Sequence, residues 1–481
     1  MIRPWDNPRE AGPKADLFDL EQVGSLLRDG ISWPWRVAPC DVVLERCWPS
    51  RSGGFVFEWS FGVAGMGRRT LFGITGQDSS ENETMNLHEA RDTPDGIRDV
   101  CLYVPSWDLL LHSPDRDPVL PQLNHCLDGG RMEARLSNVL SRMNGRDPGP
   151  TDRVACRLLG YRPGRRASIA YGDKTSDEAT PWLVGKTYVD DRGSRSARLH
   201  GQLNEQIAWY SDRRVKVPTV VDYLPDLHLT LCGHSRGRSM DNGSWWTPED
   251  ANRVAEALSA LHQCQIEGLR HFSIEDECGV VRRWHAVLER LFPSLAESTR
   301  PVLDALVRLS TCVDDTRPCT AHRDFYEAQL LLGRRMTTIL DLDTLALSHP
   351  CLDLGNLLAH LYLDRLVRGR SLIEFDDLAG GLVKAYQSRM SHVDHRALTF
   401  YCASSLFRIG AVHAIRTRTG RHSPAMWEFA EEVILNEYRR PGTRGIPFLQ
   451  PHGGVSNSLS RPAPAPKRSA NQASVAGRKS G

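Results

Sequence analysis

Up to about residue 240 the apolar positions come in short, partly alternating runs: DVVLERCW, GFVFEWSFGV, RTLFGIT, VACRLLGY, RASIAYG and WLVGKTYV, most of them bounded by turn residues. That period predicts strands. From Thr247 the period becomes helical. Thr247-Pro248-Glu249-Asp250 supplies an N-cap, a proline at the first helical position and an acid at the third, and Val254, Leu258 and Leu261 follow at helical spacing. Further helical patterns cover Val281–Leu291, Pro301–Leu309, Asp353–Arg368, Leu372–Arg389, Ala397–Arg416 and Ala425–Arg439, and a helix is plausible earlier, over Ser194–Trp209. A strand-rich first half feeding a helix-rich second half predicts an α+β chain of two lobes with a cleft between them.

Gly-, Pro- and Ser-rich stretches at Gln77–Gly96, Met143–Asp152, Gly172–Pro181 and Cys232–Asp250 divide the chain. One internal similarity crosses them. Val43 to Thr75 runs as strand, WPSRSGG turn, strand, loop and LFGIT; Val154 to Thr187 runs as strand, YRPGRR turn, strand, loop and LVGKT. Ile74 of the first stands where the second has Lys186. A shared turn chemistry and a duplicated lobe that has lost its charged residue both account for this.

Composition narrows the class. The chain of 481 residues has Lys+Arg 60 against Asp+Glu 59, which argues against a uniformly basic nucleic-acid binder. The tail Ser456–Gly481 carries Arg461, Lys467, Arg468, Arg478 and Lys479 with no acid and almost no apolar side chain, so it is expected to be disordered, leaving a mildly acidic body. The cysteines never form a CxxC pair, no long apolar run could span a membrane, and the N-terminus lacks an apolar signal segment, so a cytoplasmic protein with reduced thiols is expected.

The chemistry concentrates in TAHRDFYEAQLLLGRRMTTILDLDTLALSHPCLDLGNLLAHL, residues 320–361. The cluster His322-Arg323-Asp324 is followed by the amide Gln329, the apolar run Leu330–Leu332, a GRR turn, a second strand Thr338–Leu340, and then Asp341 and Asp343. A loop and hairpin of this kind could gather an acid, an amide and another acid around one point. Such hard oxygen donors suit a divalent cation whose octahedron is completed by phosphate oxygens, with the remaining carboxylate free to orient a hydroxyl.

HRD, an amide after it and an acid at the end of the next strand resemble the catalytic loop and metal-binding segment of the kinase-like fold. The full string HRDFYEAQLLL, ILDLD and HPCLDLGNLLAHL resembles the aminoglycoside phosphotransferase family. That resemblance, over roughly 153–440, implies a protein-kinase-like two-lobed fold with a nucleotide-binding N-lobe at 152–235 and a helical catalytic C-lobe at 236–445; the parallel of Val43–Thr75 with Val154–Thr187 adds a β-rich N-terminal cap or accessory region at 1–145, and the basic tail is 456–481. It implies ATP and Mg2+ as cofactors and a small-molecule hydroxyl as acceptor. Asp324 would orient that hydroxyl, Gln329, Asp341 and Asp343 would hold the metal, and Lys186, steadied by Glu205, would contact the nucleotide phosphates. His322 would pack under the loop, Arg323 would pair with an acid, and Asp353 would cap its helix or bond the loop backbone. No activation segment fits between Asp341 and Asp353, and Tyr161–Arg166 is no glycine-rich loop, which favours a small-molecule kinase over a protein kinase. Glu275-Asp276-Glu277 would suit a cationic acceptor, although such a run is more often a solvated face. Two departures, Gln329 for the usual Asn and His349 for an Asp before the proline, keep open an inactive nucleotide-binding or scaffolding module.

Overall fold

A computed structural model describes residues 20–439, apart from residues 30, 32–39, 50–53, 64–66, 77–90, 94–95, 145–153, 174–180, 242–245, 315–316, 391–392 and 417–419. The tail 456–481 lies outside the described residues.

After α1 (Leu20–Asp29), the first part of the chain forms β1 (Cys40–Pro49), β2 (Phe55–Val63), β3 (Gly67–Thr75), a small hairpin of β4 (Arg91–Thr93) and β5 (Gly96–Arg98), β6 (Cys101–Val104) and β7 (Leu109–His112), then α2 (Gln122–Cys126) and α3 (Gly129–Asn144). The second part forms β8 (Val154–Arg162), β9 (Arg166–Asp173), β10 (Leu183–Tyr188), α4 (Arg192–Tyr210), β11 (Val215–Lys216), β12 (Val220–Leu224) and β13 (Leu229–Gly233). The strands anticipated from alternation are all present in these two runs.

The two parts build the same sheet twice. The first has the antiparallel order β1-β2-β3-β7-β6 and the second β8-β9-β10-β13-β12. Register agrees with topology: Ile74 pairs with Leu110 across β3 and β7, and Lys186 pairs with Thr230 across β10 and β13. The connections match as well, since Pro105–Trp107 and Pro225–Leu227 are both 3-10 turns closed by a left-handed residue, Asp108 and His228. Gly73 and Gly185 occupy equivalent places, each with an aromatic ring where a Cβ would stand, Trp59 at 2.5 Å and Tyr171 at 2.7 Å. A side chain at either position would collide with the ring that fills the sheet's core face. The copies differ after their third strand, where the second has α4 and the first has, among the described residues, only the β4–β5 hairpin.

The helical half begins with β14 (Arg238–Ser239) and continues through α5 (Pro248–Gln263), α6 (Ile274–Leu291), α7 (Pro293–Ser310), β15 (Cys319–Ala321), β16 (Leu330–Leu332), β17 (Thr337–Ile339), β18 (Ala346–Ser348), α8 (Cys351–Arg368), α9 (Leu372–Gln387), α10 (His395–Ala414) and α11 (Ser423–Arg439). The chain is therefore α+β, strands first and helices after. The capping box predicted at Thr247 forms: its hydroxyl accepts from the Asp250 N–H while Asp250 bonds the Thr247 N–H. The largest differences from the expected bounds are α6 and α7, which start at Ile274 and Pro293 where Val281 and Pro301 were expected. Pro301 opens no helix but lies inside α7, because the buried stripe Ala296, Thr299, Val302, Leu303, Leu306 and Leu309 runs straight through it. Packing along that stripe outweighs the one backbone bond a proline removes.

Two cores hold the parts together. One joins the first sheet's Phe55, Phe57, Trp59 and Phe61 to the helices of the C-terminal half. The other joins Leu123, Met132, Leu136 and Val139 of α2 and α3 to Ile169, Tyr171 and Leu229 of the second sheet. Phe72 of β3 enters this second core, edge-on to Tyr161 at 4.7 Å. All the cysteines are free thiols, and no described helix is long and apolar enough to cross a membrane.

Candidate active site

The catalytic-loop candidate is fixed by its backbone. Asp353, fully buried in the first turn of α8, accepts from the N–H groups of His322 and Arg323, each at 2.6 Å. The second of these residues has φ 69°, in the left-handed region. Three hydrogen-bonded partners make a buried carboxylate tolerable: the third is His262 at 3.1 Å, whose other ring nitrogen meets the Tyr386 hydroxyl at 2.6 Å. His322 is buried beneath the loop, its Nε2 2.7 Å from the Leu340 carbonyl, and the Thr344 hydroxyl donates back to the His322 carbonyl at 2.7 Å. Arg323 makes no ion pair among the described residues. It lies over the Phe272 ring, 3.6 Å from its centroid, and reaches the Thr344 carbonyl at 3.4 Å. No acid comes within ion-pair distance among the described residues, although Glu277, Asp353 and Asp276 act on the guanidinium electrostatically, and its buried Nε has no hydrogen-bond partner.

His349 takes over a cap. Its Nδ1 accepts from the Cys351 N–H at 3.1 Å, serving the start of α8 that an aspartate would otherwise serve.

The β16–β17 hairpin carries the next candidates. Leu330 pairs with Ile339, and the Leu340 N–H bonds the Gln329 carbonyl at 2.8 Å, so Gln329 and Asp341 lie at the same open end. Gln329 is buried, and Asp341 adopts the left-handed region with φ 52°, where aspartate is among the better-tolerated residues. Asp324, half-buried, makes no hydrogen bond or ion pair among the described residues.

Lys186 of β10 arrives from the other sheet. Its amine is 2.7 Å from Asp341 Oδ1 and 2.8 Å from Asp343 Oδ2. Arg166, the first residue of β9, donates to Asp341 at 3.0 Å and to Asp343, and the Tyr188 hydroxyl donates to Asp343 at 2.8 Å. Two cations and two carboxylates thus form a half-buried quartet. Burial would raise the Asp341 carboxyl, but Lys186 and then Arg166 hold it well below the usual carboxylate range. Burial pushes the Lys186 amine down to about 8, and Asp341 offsets only part of that. Burial also lifts Glu327, between Asp324 and Gln329, to about 8. It is therefore largely uncharged at neutral pH.

Glu205 is not brought to Lys186. It is exposed on α4, whose buried positions are Gly193, His200, Leu203 and Ile207. At 100° per residue Glu205 stands some 140° around the helix from His200, the position that faces the lysine electrostatically. The aspartates of the hairpin take the place of a helix glutamate. Two contributors escaped the sequence pattern. Arg166 is one of several arginines in its turn, and Asp117 lies in a run with no recognisable motif. The Asp117 carboxylate accepts from the Tyr161 hydroxyl at 2.6 Å and the Gly164 N–H at 2.7 Å, which fixes the β8–β9 turn beside the quartet. Of the acidic run on α6, Asp276 closes a capping box with Ser273 and Glu277 accepts from the buried Ser404 hydroxyl, so both are structural.

Carboxylate oxygens at one hairpin end, paired with two cations from a separate sheet, can hold a metal-bound polyphosphate, while a carboxylate without an ion pair among the described residues can take a proton from a hydroxyl. Among the described residues no three His, Cys, Asp or Glu side chains converge as a metal site on their own.

Residues 188–392 match the model of the phosphotransferase enzyme family. The chain resembles the kinase-like aminoglycoside phosphotransferases, and the match supports a phosphotransferase. No curated protein matches the sequence. Similar solved structures include a choline kinase from Cryptosporidium parvum Iowa II (10% identity, 64% of this chain and 96% of that one, TM-score 0.45). A spectinomycin phosphotransferase solved with ADP and spectinomycin has 12% identity over 62% of this chain and 94% of that one, TM-score 0.41. An aminoglycoside phosphotransferase from Streptomyces rimosus has 16% identity over 57% of this chain and 98% of that one, TM-score 0.36.

Proposed function

We propose that the protein transfers the γ-phosphoryl group of ATP to a hydroxyl of a small molecule, with Mg2+. The observation that carries this reading is the pairing of Lys186 with Asp341 at 2.7 Å, a lysine and an acid from two different sheets meeting beside a rigid HRD loop. Phosphoryl transfer asks the protein chiefly for positioning and charge neutralisation. Lys186 and Arg166 are the cations for the nucleotide phosphates. The donor set fits Mg2+ in kind, with Asp341 and Asp343 as hard carboxylates and Gln329 as an amide beside them, and a bound Mg2+ would supply neutralisation of phosphate charge. Asp324, without a hydrogen bond or ion pair among the described residues, orients the acceptor hydroxyl and accepts its proton. Arg162 interacts electrostatically with Asp324 and Asp341, and Arg416 with Tyr326.

A second reading rests on the quartet itself. Both metal-holding carboxylates are already neutralised by Arg166 and Lys186, as in a module that no longer turns over. ADP release from Mg·ATP in the presence of a panel of alcohols, anionic ones included, separates the two. Turnover that Asp324→Ala abolishes while nucleotide affinity stays within a few-fold, and that Asp341→Ala loses together with Mg2+-dependent nucleotide binding, is the expected result. Wild-type turnover in both variants would refute the kinase assignment.

A further inference from the structure

The turn between β16 and β17 holds Arg334 and Arg335, and together with Lys216 of β11 and His234 and Arg236 of the segment after β13 it lines a cavity of about 540 Å3. One small sheet gathers these segments. Its order is β11-β17-β16-β14, with Lys216 paired to Thr338 and Arg238 paired to Leu332. The turn is held in shape from behind, because Arg253 donates to the carbonyls of Gly333 and Met336, each at 2.9 Å.

The cations of this cavity differ from their neighbours in sequence. Arg214 pairs with Glu256 at 2.7 Å and Arg238 with Asp250 at 2.6 Å. Lys216, Arg236, Arg334 and Arg335 have no carboxylate within ion-pair distance among the described residues, and no acid lines the cavity. Four like charges from three segments line this one cavity, a concentration of positive potential that attracts an anion. The volume is that of a small-molecule site, and arginine forks match phosphate oxygens.

We propose that this cavity binds a small anion carrying several phosphate groups, at a site that shares no residue with the Lys186–Asp341 cleft. The shared chemistry is a polyphosphate chain, whether free or as the tail of a nucleotide. Bound there, it would tie β11, the segment after β13 and the hairpin whose other end carries Gln329 and Asp341.

The test is calorimetric titration of the full chain with sodium tripolyphosphate, with ATP and with orthophosphate, all in EDTA so that no divalent cation contributes. Tripolyphosphate is expected to bind at least tenfold more tightly than orthophosphate, and more weakly as NaCl is raised. Arg334→Ala with Arg335→Ala, both exposed on a turn that Arg253 holds through backbone carbonyls, should weaken tripolyphosphate binding at least tenfold, whereas Lys186→Ala should change it less than threefold. ATP affinity that falls in parallel in the double variant assigns the site to nucleotide tails, and unchanged ATP affinity assigns it to free polyphosphate. Wild-type tripolyphosphate affinity in the double variant overturns the proposal, as does complete loss of binding in Lys186→Ala.

Discussion

Lys186 enters the cleft at a cost that shows as pH dependence. An exposed lysine titrates near 10.4, and burial brings this one to about 8. The depressed value means that the unfolded chain binds more protons between pH 8 and about 10.4, so this group's penalty on stability is relieved as pH rises through that window. Function runs the other way, since a neutral amine holds phosphate poorly. We expect kcat/KM for the nucleotide to decline as pH rises through about 8, and Lys186→Arg, which keeps its charge, to flatten that limb. A wild-type profile level to pH 9.5 would count against the assignment. Asp341 has the opposite sign: its carboxyl is depressed, so its contribution to stability is present above about pH 4 and is lost as pH falls below that value. At this scale the sequence showed which residue types matter but not always their direction. Gln329 and Asp341 flank a hairpin whose geometry is local, so spacing alone sets them at the same end of it. Glu205 failed because spacing along α4 does not say which side of the helix faces the lysine, and Arg166 was indistinguishable from the arginines around it.

Elements were legible where period and caps agree, as at Thr247, and misleading where one residue carries two meanings, as with Pro301. Helix-to-helix distance was invisible in the sequence. Gly355 of α8 approaches α10 so closely that an added Cβ would stand 2.6 Å from the Cys402 nitrogen and 2.7 Å from the Tyr401 carbonyl carbon. Backbone cannot swing aside. Gly355→Ala is therefore expected to destabilise by about 2 kcal/mol or more in urea unfolding, after the helix-propensity gain of about 1 kcal/mol is subtracted. Gly381 of α9 has nothing within 4 Å of the same construction. There Ala should be neutral or stabilise by up to about 1 kcal/mol. Equal effects from the two substitutions would contradict the close approach.

For the molecule as a whole, the doubled sheet means that the first sheet, with α2 and α3, is more than an appendage. Phe72 packs on Tyr161 of the second sheet, Arg290 of α6 lies 4.9 Å from the Phe55 ring centroid, and α3 makes ion pairs from Arg135 to Asp226 and from Arg142 to Asp222. A chain beginning at residue 152 would expose the apolar faces that these residues cover. Its expected behaviour is self-association in size-exclusion chromatography and loss of a single sharp thermal transition, against one cooperative transition for the full chain. A monomeric, sharply melting truncated chain would show that the second sheet and the helices form an independent unit. The parallel between Val43–Thr75 and Val154–Thr187 was faint in identity yet extends to strand order, register and turn type, because those depend on a few turn and glycine positions.

The quartet of Arg166, Lys186, Asp341 and Asp343 makes loading of the cleft an exchange instead of an addition. If the cleft takes the nucleotide and Mg2+ proposed above, a polyphosphate that draws off the two cations would uncover the two carboxylates, and a divalent ion on the carboxylates would release the cations. Each visitor therefore prepares the place of the other, and the two affinities must rise by the same factor. Either one alone meets a closed door.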